Sequence, residues 1–206
     1  MSDEYFDLGV RHRKVTTSSE EAQQWFDRGL TWIYGFNHDE AIICFEKALE
    51  ADPDCVMAYW GIAYSIGPNY NKIWDMFLPH ERVSTLDTAH QAIADGTGRD
   101  TGTAVERAML EALKSRYPTD PETEDFGPFN DAFVEAMRPV YEANRDDLDV
   151  ASVFAESLMG RTPWALWDVA TGEPQEGAST LEAKDVLETA FQNDAMAWSH
   201  PGLLHM

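Results

Sequence analysis

Positive charge is what this chain has least of. Its 206 residues carry 15 Lys and Arg against 37 Asp and Glu, a formal net charge of −22. A protein that grips a nucleic-acid backbone or an anionic membrane does so with clustered Lys and Arg that displace counterions, so neither partner is expected. The acidic residues are scattered in runs no longer than two, as at Glu20-Glu21 and Asp146-Asp147. That pattern is a solvated surface, with an attraction for a basic partner. Cysteine is nearly as scarce. Cys44 and Cys55 make no disulfide framework and no C-x-x-C pair. Both fall in apolar helical patterns and are expected as buried free thiols.

Other absences narrow the function. No apolar run approaches the ~20 residues that span a bilayer. The opening Met1-Ser2-Asp3-Glu4 lacks the basic region and apolar stretch of a secretory signal, so a cytoplasmic location is expected. There is no G-x-S-x-G elbow, no phosphate-cradling G-x-x-x-x-G-K, no dinucleotide G-x-G-x-x-G and no H-E-x-x-H. Gly96-Thr97-Gly98 reads as a turn. Carboxylates are too many for a catalytic pair to be chosen without geometry, and the enzyme question stays open with no activity assigned.

What is present is a helical period. From Ala22 to Cys55, Trp25, Gly29, Trp32, Ala41, Phe45, Ala48 and Pro53 stand at positions 4, 8, 11, 20, 24, 27 and 32 of a 34-residue unit. Small Gly29 and Ala41 let two helices approach, the rings fill the space around their crossing, and Pro53 ends the second helix. Ser18 with Glu21, and Asn37 with Glu40, have capping-box spacing. This segment resembles the tetratricopeptide repeat, with Arg28 where that family has Leu and Trp32 where it has Tyr. A second unit starts behind Asp54, with Ala63 34 residues after Gly29, and breaks at Gly67-Pro68-Asn69-Tyr70-Asn71. Degenerate units follow over about 129–195. The expected fold is therefore all-α, about eight helices in tetratricopeptide-like antiparallel pairs. Long loops are expected at 67–79, 117–128 and 160–179, with no strand. Residues 1–17 are expected as an N-terminal extension and 18–206 as the helical domain.

The resemblance implies a groove. Its groove-facing positions are here Gln23, Phe26, Leu30 and Ile33, then Met57, Trp60, Tyr64 and Gly67. The Lys and Asn clamps by which such grooves take a peptide C-terminus do not appear. So apolar a wall is expected to be covered, either by a ligand or by Trp74, Met76, Phe77, Phe126, Phe129, Trp164 and Trp167 of the chain's own loops. The latter arrangement gives a compact body with a lined pocket.

Beyond the repeat, the chain is similar to a group of longer bacterial and fungal tetratricopeptide proteins of unassigned role. The matching stretches are Gly35 to Ala41, Tyr59 to Tyr64 with Gly67 to Asn71, Val105 to Ala108, Thr162-Pro163-Trp164 and His200-Pro201-Gly202. That resemblance implies more chain after Leu203-Leu204-His205-Met206, an apolar helix start with no polar cap. It also implies that Asn37, His38, Asn69, Asn71, His200 and His205 converge near the aromatic residues. There His38, His200 and His205 are candidate ligands of a divalent transition metal. Three functions follow as expectations. The first is a scaffold that binds a protein or peptide, basic ones included, through Phe26, Leu30, Ile33, Met57, Trp60, Tyr64, Asn69, Asn71 and Trp164. The second is a metal-dependent enzyme, or a metal or small-molecule binder, on the same scaffold. The third is an oligomerisation domain.

Overall fold

Apolar residues at Ala22, Phe26, Gly29, Leu30 and Ile33 lie on one face at helical spacing, and they bury that face of α1 (Glu20–Tyr34). The cap is Ser19, whose hydroxyl accepts from the Ala22 N–H at 3.2 Å, one residue later than the expected Ser18. Ser18 is engaged elsewhere: its N–H donates to Asp52. The three-residue turn Gly35–Asn37, with Phe36 at φ 57°, folds α2 (His38–Ala51) back on α1. Asn37 caps α2 by accepting from the Glu40 N–H at 3.3 Å, as its spacing predicts. The Glu40 carboxylate does not complete a box and accepts from the Tyr5 hydroxyl instead.

In the computed structural model, which describes residues 5–205 and the last of them by its backbone alone, the fold is all-helical. After α2 come α3 (Val56–Ile66), α4 (Pro79–Thr97), α5 (Ala104–Ala112), α6 (Gly127–Ala143), α7 (Leu148–Met159), α8 (Thr180–Asn193) and α9 (Pro201–His205). No strand forms among the described residues. Two isolated bridges, Asn69 with Lys72 and Trp167 with Pro174, brace the first and third insertions. None of the described helices is long and apolar enough to cross a membrane.

Two helices are buried on nearly every side, α3 from Val56 to Ser65 and α7 from Asp149 to Met159. A helix apolar all round has to be central. Helix α3 packs against α2, α4 and α5, while α7 packs against α6, α8 and α9. Phe45 sets the closest approach at the first end. Its ring lies where a Cβ on Gly29 would come within 2.6 Å and one on Gly61 within 2.5 Å, so only glycine fits at either place. Cys44 and Cys55 are buried free thiols.

The apolar wall expected to line a groove belongs to the core. Phe26, Leu30, Ile33, Met57, Trp60 and Tyr64 are all buried by the chain itself, the second of the two arrangements expected for them, and so they offer no open binding surface. Trp74 and Phe77 from the first insertion, and Phe126 from the second, join the same core. The third insertion behaves differently, leaving Trp164 and Trp167 exposed.

Candidate functional site

Two polar side chains of α1, Gln23 and Asp27, hold an extended piece of the same chain. Residues 10–18, without regular secondary structure, cross this face as a strap. Gln23 takes its backbone reciprocally: Nε2 donates to Arg13 O at 2.8 Å, and Oε1 accepts from Val15 N–H at 3.0 Å. A single side-chain amide thus replaces the pair of hydrogen bonds a neighbouring strand would make. Asp27, one turn along α1, accepts from Arg13 N–H at 3.0 Å and lies 2.8 Å from His12 Nδ1. Val15 inserts into the core.

Further along the strap, Thr16 meets Glu106 of α5 and the Thr17 hydroxyl donates to Asp52. A cleft of about 1440 Å³ runs beside it, walled by Asp54, Thr101, Val105, Leu148, Met196 and Ser199 among others. Every anchor named for the strap except Gln23 is a carboxylate, and the strap supplies Arg11, His12, Arg13 and Lys14. In a chain with so few cations, that concentration is what makes the acidic face habitable.

The two arginines converge on the start of α7. Arg13 reaches Asp147 with both terminal nitrogens, at 2.6 and 2.9 Å, and Asp149 Oδ2 at 2.9 Å. Arg11 pairs with Asp149 Oδ1 and lies over the Tyr34 ring, 4.9 Å from its centroid. The Tyr34 hydroxyl donates to the same Oδ1 at 2.6 Å, and His200 Nε2 approaches it at 3.1 Å. Burial alone would raise the Asp149 pKa. The His200 hydrogen bond and the charges of Arg13 and Arg11 outweigh it and hold the carboxyl well below the usual range. Burial comes first for Arg13 too, and the paired carboxylates more than offset it, leaving the guanidinium firmly protonated.

His200 is fully engaged. The Leu203 N–H points at Nδ1 at 3.3 Å, which leaves the proton of a neutral ring on Nε2, facing Asp149. The 2.8 Å approach of Arg11 to the same Nε2 follows from their shared acceptor. Neither ring nitrogen is left with a free lone pair for a metal. His38 lies in another place. With Asn37, Asn69 and Asn71 it lines a separate cleft of about 490 Å³, so four of the six residues expected to converge do so, without His200. The side chain of His205 lies outside the described residues. Among the described residues no group of three or more His, Cys, Asp or Glu side chains is placed to hold a metal ion. The amide oxygens in that cleft have local duties: Asn37 caps α2, and Asn69 Oδ1 accepts from the N–H groups of Asn71 and Lys72. Trp164, 55% exposed, donates its backbone N–H to the Tyr70 hydroxyl at 2.9 Å.

Sequence reasoning missed Asp27, Glu106, Asp149 and the two strap arginines. Only Glu106 had a local signal. Thr103-x-x-Glu106 is a capping box, and both of its bonds form. No family model matches the chain, and no curated protein or solved structure matches it significantly either.

Proposed function

We propose that this chain is a tetratricopeptide-like binding domain whose acidic face takes an extended basic segment of a partner protein. The repeat reading is supported by Phe45 packed on Gly29 and Gly61 and by the tight α1–α2 turn. The binding reading rests on one observation. The strap Val10–Ser18 is held as a bound peptide would be, its backbone by Gln23 and Asp27 and its arginines by Asp147 and Asp149. The apolar groove residues serve packing, so specificity comes from charge and backbone amides. A partner segment with arginines two residues apart, followed by a β-branched residue, fits the same contacts in trans.

The experiment is displacement. A labelled peptide Val-Arg-His-Arg-Lys-Val-Thr-Thr-Ser is titrated into the full chain carrying Arg11→Ala and Arg13→Ala, which loosens the native strap. Saturable binding that weakens on replacing both peptide arginines by alanine supports the reading. Absence of saturable binding, or indifference to the arginines, refutes it.

A second reading, a small-molecule site, draws on His38. Both its ring nitrogens are buried with no partner among the described residues, and burial with the charge of Arg116 lowers its pKa to about 4. The ring is therefore neutral at pH 7, with one donor and one acceptor to offer. Ligand-induced shifts of its ring protons in NMR spectra are the check.

A further inference from the structure

Arg116, whose charge reaches His38, belongs to a second polar feature that the strap site does not use. Arg116, 6% exposed, stands at the end of the short 3-10 turn that follows α5. Its Nη2 donates to the Pro68 carbonyl, and its guanidinium lies over the rings of Tyr64 and Phe133, 4.9 Å from each centroid. Those rings fix its orientation, but they do not satisfy it. Nη1 is buried with no hydrogen-bond partner among the described residues. Burial lowers the Arg116 pKa, and no carboxylate appears among the groups that act against that.

A chamber of about 40 Å³ opens against this guanidinium, lined also by Trp74, Asn130 and Glu156. Trp74 is 2% exposed, and its Nε1–H likewise has no acceptor among the described residues. Its ring is held by stacking on Phe126 at 4.9 Å and an edge contact with Tyr117 at 6.0 Å. Guanidinium and indole N–H groups can only donate. Two buried donors, one of them charged, on residues that line one small space are costly unless an acceptor reaches them. Water would supply an acceptor without charge, and a lone buried cation needs both.

Glu156, the carboxyl in the wall, does not fill the role. It forms no ion pair with Arg116 among the described contacts, and one of its oxygens is taken by the Tyr64 hydroxyl. Burial pushes its pKa up to about 7, against a hydrogen bond from the Tyr70 backbone. A carboxyl paired with a guanidinium would be driven the other way.

We propose that this chamber binds a compact monoanion, the carboxylate of a formate- to acetate-sized acid, between Arg116 Nη1 and Trp74 Nε1. The volume sets the size: about 10–15 Å³ of such space holds one water, so about 40 Å³ takes roughly three water-sized groups, the bulk of a formate or an acetate. Planar carboxylate oxygens suit two donors arriving from different directions better than a spherical ion does.

Isothermal titration of the full chain with formate, acetate, nitrate and chloride, at matched ionic strength, tests this. Formate or acetate is expected to saturate. Trp74→Phe keeps the ring, removes the N–H and weakens binding about 3- to 10-fold, the worth of one hydrogen bond. Arg116→Met abolishes it, whereas Glu156→Gln, which removes the one carboxyl in the wall, retains it. The proposal is overturned if no carboxylate saturates, if chloride or nitrate alone does, if Glu156→Gln loses binding, or if Trp74→Phe binds like the unsubstituted chain. Should Arg116→Met fail to fold, Trp74→Phe decides alone.

Discussion

Glu106 holds Thr16 with both carboxylate oxygens, Oε1 accepting from the backbone N–H at 2.7 Å and Oε2 from the hydroxyl at 2.6 Å. The same Oε2 accepts from the Thr103 N–H at 2.6 Å, so the strap and the first turn of α5 share one anchor.

Thr16→Val, which keeps the shape and loses the hydroxyl, is expected to cost about 1 kcal/mol in urea unfolding. Trypsin should also cut faster after Arg13 and Lys14, because the strap opens more often. Glu106→Ala costs more than Thr16→Val, since the α5 cap is lost with the strap contact. Equal losses for the two would show that the cap contributes nothing beyond the strap contact.

Gly29→Ala drives a methyl to within 2.6 Å of the Phe45 ring, which is fully buried and cannot turn away. Overpacking of this kind costs about 1–3 kcal/mol. Gly35→Ala is the control. Its Cβ meets nothing closer than 3.5 Å and its φ is −86°, so the change should stay within about 0.5 kcal/mol. Thermal denaturation of the two variants side by side is sufficient.

Asp149→Asn leaves two buried guanidiniums short of a charge and is expected to cost about 3–5 kcal/mol. Tyr34→Phe removes one hydrogen bond to the same oxygen and costs less, about 1.5–3 kcal/mol. Because the folded state depresses the Asp149 pKa, its stabilisation is present above the ordinary value of 3.8 and is lost as pH falls below it. Acid should therefore free the strap, measured as faster amide exchange in residues 11–16 below pH 4 than above it, relative to α3.

Glu156 and His38 act in opposite senses over one pH range. Burial raises Glu156 from 4.5 to about 7, so its contribution falls as pH rises between those values, where the folded state holds a proton that the unfolded state has lost. Burial and Arg116 lower His38 from 6.5 to about 4, so its contribution falls as pH drops from 6.5 to 4. Between 4.5 and 6.5 the two slopes, each about 1.4 kcal/mol per pH unit at most, oppose one another. Glu156→Gln should leave stability rising with pH there, and His38→Gln should leave it falling. Urea midpoints at pH 4.5, 5.5 and 6.5 are the measurement, and parallel profiles for both variants would refute the pairing.

The helices were legible wherever the information was local. Gly29, Ala41 and Phe45 declared the first pair, Asn37 declared its cap, and Gly67-Pro68 declared the break after α3. Ser19 was misjudged by one position because Ser18 is drawn to Asp52, 34 residues away. The burial of Trp60 and Tyr64 was harder to foresee. Periodicity tells which side of a helix is apolar, but whether an insertion covers that side depends on where Trp74 and Phe126 land. The strap was invisible for the same reason. Arg11 and Asp149 are 138 residues apart, and nothing in either neighbourhood marks them as a pair.

That separation also sets an order of events. During synthesis the strap is made first, and the carboxylates of Asp147 and Asp149 are made only after α1 to α6 exist. Chains fold from the leading end as they emerge, and contacts that close long loops come last. Arg11 and Arg13 therefore lack Asp147 and Asp149 while the first helices assemble. Docking of this segment onto α7 becomes the step that seals the finished domain.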